Sequence, residues 1–129
     1  MLLKLPISIK SRSKLLRYSY NNVVKLSWRS VHSKSVAYKN RIRPLIKEQL
    51  VKGTHFNKAN LIVTLYPYTK HRQDLDSGLA PVIKAVTDIL VSEFKVLPDD
   101  NYKIIPSVLV KFGRVDNTVK ESYITYELV

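Results

Sequence analysis

Leu3, Leu5, Ile7 and Ile9 alternate with Lys4, Pro6, Ser8 and Lys10, a period of two that predicts a half-buried strand. Pro6 has no N–H to give a ladder, which places that strand at a sheet edge. Residues 11–32 show no clean period. Arg12, Lys14, Arg17, Lys25 and Arg29 interleave there with Tyr18, Tyr20 and Trp28, the composition of an ordered or binding-coupled loop. From Ser33, an N-cap residue type, the spacing of Tyr38, Ile42, Leu45, Ile46 and Leu50 predicts a helix. Pro44 removes one backbone bond from it, so a kink or break is expected near Arg43. "LIVTLY" at 61–66 reads as a strand, followed by a turn over 67–72. Val82, Val86, Ile89 and Leu90 mark one face of a second helix, with Pro81 in its first turn and its end near Phe94. After a loop, Ile104 to Phe112 and Ser122 to Val129 predict two strands, expected to pair antiparallel through the connection at 113–120. The order predicts one small α/β (α+β) domain over residues 1–129, with a mixed sheet and two main helices.

Charge adds a polarity to that outline. Residues 1–60 hold 14 Lys or Arg and one acid, Glu48, a balance of +13; residues 61–129 hold 8 against 9, a balance of −1. Such a cationic half favours polyanions, nucleic acid first, because each phosphate contact releases condensed counterions. An anionic membrane or ribosomal RNA satisfies the same arithmetic. On the first helix Lys39, Arg43 and Lys47 recur every four residues, either as a phosphate-facing stripe or as an ordinary solvated face. The chain has no cysteine, which excludes disulfides and thiolate metal sites. No apolar run approaches the roughly 20 residues of a bilayer span, and no secretory core stands at the N-terminus, so a soluble, cytoplasmic protein is expected. Met1 to Lys47 has eight serines and no acid, as transit peptides do, but its regular patterning weighs against that reading.

Six of the ten acids fall within residues 72–100, four of them in two clusters: Asp74 with Asp76, and Asp99 with Asp100. On extended backbone, residues two apart point the same way, their Cα atoms about 6–7 Å apart. Carboxylates that close repel unless a cation lies between them. Mg²⁺ and Mn²⁺ prefer such oxygen ligands, and with a third carboxylate from Asp99 or Asp100 the set would clamp a phosphodiester and activate water. The plainer reading is that acids cap a helix or build a turn. Lys84, on the following helix, is placed either to meet a scissile phosphate or to pair with Asp88 at i,i+4. His32, His55 and His71 lack metal-ligand spacing, and three glycines make no phosphate loop. His71, with Lys70 and Arg72, reads as phosphate-facing or solvated.

Arg72, "DLD" at 74–76, "KAVTDIL" at 84–90 and "DDNYKI" at 99–104 resemble the RusA-like Holliday junction resolvases, as do "LP" at 5–6 and "SVAYKNRI" at 35–42. The resemblance spans essentially the whole chain. It implies a homodimer that binds four-way DNA junctions and uses Mg²⁺ or Mn²⁺ to nick two opposing strands, leaving 5′-phosphate and 3′-hydroxyl ends. Asp74, Asp76 and Asp100 would be the metal-binding catalytic acids, Asp99 their neighbour and Lys84 the catalytic lysine. Lys10, Arg12, Lys14, Arg17, Arg29, Lys39, Arg43, Lys47, Lys70 and Arg72 are the candidate DNA contacts. Two departures stand out: Ser77 replaces the usual Asn, and Lys84 follows Asp76 by eight residues rather than about four. Gly78 and Pro81 predict that the extra "SGLAP" is loop. The competing reading is a basic nucleic-acid-binding protein without catalysis, either an inactive resolvase relative or an RNA binder.

Overall fold

A computed structural model describes residues 1–11, 14–18, 28–69 and 76–129, without the side chains of 10, 11, 14–16, 28–30 and 76–78. The described strands are β1 (Leu2–Pro6), β2 (Ser8–Ser11), β3 (Lys14–Arg17), β4 (Leu61–Tyr66), β5 (Val108–Phe112) and β6 (Tyr123–Leu128); the helices are α1 (Trp28–Gln49) and α2 (Asp76–Ser92). The main sheet is mixed, in the order β1-β6-β4-β5, with β4 and β5 parallel and the other pairs antiparallel. This is a small α+β domain. No described helix is long and apolar enough to cross a membrane.

Register puts Leu3, Leu5, Leu61, Val63, Leu65, Ile124, Tyr126 and Leu128 on one sheet face, and all are buried. The helices pack a second layer on it: Tyr38, Ile42 and Ile46 at four-residue spacing on α1, and Leu79, Val82, Val86, Ile89 and Leu90 on α2, with Ile7, Ile9, Tyr18, Ala59, Val96 and Leu97 completing the core. Tyr126 lies between the two layers, its hydroxyl 2.7 Å from Thr87 Oγ1 on α2. Tyr38 donates to the Pro6 carbonyl at 2.6 Å and stacks on Tyr18, whose N–H bonds Ile7 O. At the other end, Gly113 approaches the Tyr66 ring so closely that any Cβ would collide with it, and that ring stacks on Tyr123 at 5.0 Å.

Several expectations are corrected. The alternating run from Leu3 to Ile9 is two strands, because the chain leaves the main sheet after Pro6 and Ser8–Ser11 pairs with β3. Residues 11–32 are therefore not all loop: they hold β3, and α1 starts at Trp28, five residues before Ser33, with Val31 already packed on the core. Helix α1 runs unbroken through Pro44, since Tyr38 and Ile42 before it and Ile46 after it bury on the same face. Helix α2 begins at Asp76 and ends at Ser92, so "SGLAP" is helical. Leu79 is fully buried and extends the period of Val82 and Val86 backwards, and that packing outweighs Gly78 and Pro81. Asp76 accordingly opens a helix instead of lying on extended backbone. The strand predicted from Ile104 starts only at Val108, and β5 and β6 do not pair, because β4 lies between them. Every second residue of β6 is buried, as suits a strand between two neighbours, whereas β5 is exposed along most of its length.

The two sheet edges differ. On β1, which is an edge strand as predicted, the Gln49 side chain caps the free backbone: Lys4 N donates to Gln49 Oε1 at 2.7 Å, and Gln49 Nε2 donates to Lys4 O at 2.8 Å. On β5, Ser107 O and Gly113 N bond to β4, so by alternation Val108, Val110 and Phe112 turn their backbone groups outward. Val108 and Leu109 (both 53 % exposed) and Phe112 (46 %) leave that edge apolar.

Burial pushes the Tyr126 hydroxyl up to about 12 and raises Tyr38 as well. An unfolded tyrosine ionises near pH 10, so the stabilisation is complete below that pH and is lost as pH rises towards 12. Tyr126 alone accounts for roughly 2–3 kcal/mol over that window. Urea unfolding at pH 8 and pH 11 is expected to show this fall, and Tyr126→Phe to make it shallower.

Candidate active site

Lys84 and Asp100, 16 residues apart in sequence, line one cleft of about 380 Å³. Ala80, Ile83, Lys84 and Thr87 of α2 form one wall, Leu61 and Val108 the floor, and Asp100 and Ile105 the end. The cleft exists because the helices stop short of β5. Val108 pairs with Leu61 and faces the helix layer with it, yet it remains half uncovered.

The segment carrying Asp100 is fixed by its own polar side chains. Asp99 Oδ1 accepts the Asp100 N–H at 2.7 Å, Asp99 Oδ2 accepts Asn101 Nδ2 at 3.1 Å, and Asn101 Oδ1 accepts the Lys103 N–H. The backbone N–H of Asp100, more than any other group, holds the Asp99 carboxyl below its usual range. Asp99 thus shapes the turn, and Asp100 is the acid at the cleft. No described Lys, Arg or His forms an ion pair with either.

Lys84 makes the i,i+4 contact with Asp88 that its spacing allows, Nζ to Oδ1 at 3.7 Å, and its side chain is 72 % exposed. A pair so open to water contributes well under about 1 kcal/mol, so the ammonium is free to exchange partners. Asp88 is shared, since its other oxygen lies 3.4 Å from Lys39 Nζ on α1. Because "SGLAP" is helical, Lys84 stands two turns from Asp76, about 12 Å along the axis at about 1.5 Å per residue. Ala80, one turn after Asp76, is already in the cleft wall.

The basic stripe of α1 is only partly solvated. Lys39 meets Asp88, and Arg43 meets Glu93 at 2.6 Å and Asn40 at 2.8 Å, so two of its three cations join α1 to α2 and the turn just past it. Lys47 is exposed beyond that seam. Arg41, not anticipated from sequence, bonds Ser8 O at 2.6 Å and the Glu121 carboxylate at 3.0 Å, tying α1 to the start of β2 and the approach to β6. Lys10, Lys14 and Arg17 lie on the β2–β3 hairpin and Arg29 in the first turn of α1. Arg12, Lys70, His71, Arg72 and Asp74 lie outside the described residues, as does the side chain of Asp76. Among the described side chains, which do not include those of Asp74 and Asp76, no three His, Asp or Glu are grouped to hold a metal.

No protein-family model matches the chain, and no curated protein is significantly similar to it.

Proposed function

We propose that this chain is a metal-dependent, structure-selective endodeoxyribonuclease that resolves four-way DNA junctions by paired symmetric nicks, leaving 5′-phosphate and 3′-hydroxyl ends. One observation carries the reading: Lys84, on the helix that Asp76 opens, and Asp100 line a single cleft in a chain whose first 60 residues carry +13. A cationic body holds the phosphate backbone, and a local group of acids supplies the contrast that phosphodiester hydrolysis requires.

Asp74, Asp76 and Asp100 would hold Mg²⁺ or Mn²⁺, with Asp99 adjoining. The exposed turn fits such an ion, because it places two carboxylates side by side with no described cation paired to either. Bound there, the ion supplies Lewis-acid stabilisation and a water of lowered pKa. Lys84 exchanges the weak Asp88 contact for a phosphate oxygen and stabilises the charge that develops there. Lys10, Arg12, Lys14, Arg17, Arg29, Lys39, Arg43, Lys47, Lys70 and Arg72 would contact the DNA backbone, Lys39 and Arg43 from the helix seam. Paired nicks call for two copies, and the apolar β5 edge, whose backbone no described side chain caps, supports a homodimer in which a second copy adds its own β5.

The test is a synthetic four-way junction incubated with Mg²⁺. The parent is expected to give symmetric nicks, Asp100→Asn and Asp76→Asn to abolish them, and Lys84→Ala to slow them by about 10²–10³-fold. Asp99→Asn should retain more activity than Asp100→Asn. Binding without nicks at any Mg²⁺ or Mn²⁺ concentration refutes the enzyme and leaves a nucleic-acid-binding protein. Sedimentation velocity is expected to give twice the chain mass, and Leu109→Lys, which puts a charge on the exposed face of β5, the monomer.

A further inference from the structure

The C-terminal ends of α1 and α2 converge on a second cleft, of about 590 Å³. Lys47 and Leu50 line it from α1 and its end, Lys52 and His55 from the turn that follows, and Phe94 and Lys95 from the turn after α2. Glu93 is the one acid in the lining, and Arg43 occupies its carboxylate at 2.6 Å. Lys47, Lys52 and Lys95 are all exposed and form no ion pair with any described residue. Two helix C-termini offset about half a charge each. Three ammonium groups exceed that, leaving roughly two positive charges unmatched.

The backbone supplies an independent sign. Lys95 has φ 55°, the one left-handed non-glycine among the described residues. It follows the α2 terminus, where glycine is the usual residue because a Cβ disfavours this conformation. The turn is secured around it: Val96 N bonds Leu90 O at 2.8 Å, Phe56 N bonds Val96 O at 2.8 Å, and His55 Nδ1 lies 2.9 Å from Lys95 O. Glycine would fit this backbone with less strain, yet the position carries a lysine, and that lysine lines the cleft.

We propose that this cleft seats a phosphate of the duplex-DNA backbone, held by Lys47, Lys52 and Lys95, as an anchoring site separate from the Lys84–Asp100 cleft. The proposal rests on the reading of the chain as a DNA-acting protein and assigns Lys52 and Lys95 a role beyond the α1 stripe.

The test uses fluorescence anisotropy of a labelled four-way junction and a linear duplex in EDTA across a KCl series. Lys47→Gln, Lys52→Gln and Lys95→Gly are each expected to weaken binding and to lower the slope of log K against log salt by about one. Lys58→Gln, exposed and outside the cleft, should leave both unchanged. Lys95→Gly is also expected to melt at or above the parent temperature, which separates lost binding from lost folding. Unchanged slopes for Lys52→Gln and Lys95→Gly overturn the proposal, as does a parent that binds neither DNA. A parent that binds with the expected slopes but never nicks counts against the nuclease alone.

Discussion

The last strand of the chain occupies the middle of the sheet. Strand β6 must pair with β1 on one side and β4 on the other, so the core face closes only when residues 123–128 are in place. The ends of the described chain are joined there: Leu128 N bonds Met1 O at 3.0 Å, and Asn60 and Val129 exchange backbone bonds at 2.8 and 2.9 Å. Ile124, Tyr126 and Leu128 then become fully buried beneath the helices. Tyr126 reaches Thr87, which also lines the Lys84–Asp100 cleft. The position of the cleft wall thus follows from the pairing of β6.

Charge is matched inside the fold before any partner is met. Asp88 on α2 and Glu93 just past its end take Lys39 and Arg43 on α1, and Glu121 takes Arg41. These partly exposed pairs add little stability, but they align the two helices. They also divide the cations of the first half: those at the helix seam are engaged, while Lys47 and Lys52 stand beyond it without an ion pair to any described residue. A site for an anion is set more by which cations remain unmatched than by how many the chain has.

Local pattern was a good guide wherever burial repeats within one element. The spacing of Tyr38, Ile42 and Ile46, the run 61–66 and the face of Val82, Val86, Ile89 and Leu90 all lie where their periods placed them. Strand partners were not legible, because a short connection from β5 to β6 looks like a hairpin unless β1 and β4 are known to compete for β6. "SGLAP" misled for a related reason: Gly78 and Pro81 are local breakers, and the burial of Leu79 that overrules them is a tertiary contact. For the candidate site, the Lys84–Asp88 pair could be read from its spacing. The meeting of Lys84 with Asp100 could not, because it depends on where β5 leaves the helices uncovered. Lys95 was also missed, although a helix ending in "SEFKV" without glycine was the available signal.

In the proposed enzyme the acids around α2 form a metal site facing Lys84. A crystal of the protein soaked in Mn²⁺ and measured for anomalous scattering tests it most directly. A peak is expected within ligand distance of Asp76 and Asp100, in the cleft that Lys84 lines. A well-ordered Asp100 with no peak beside it, or manganese bound only elsewhere, would contradict it.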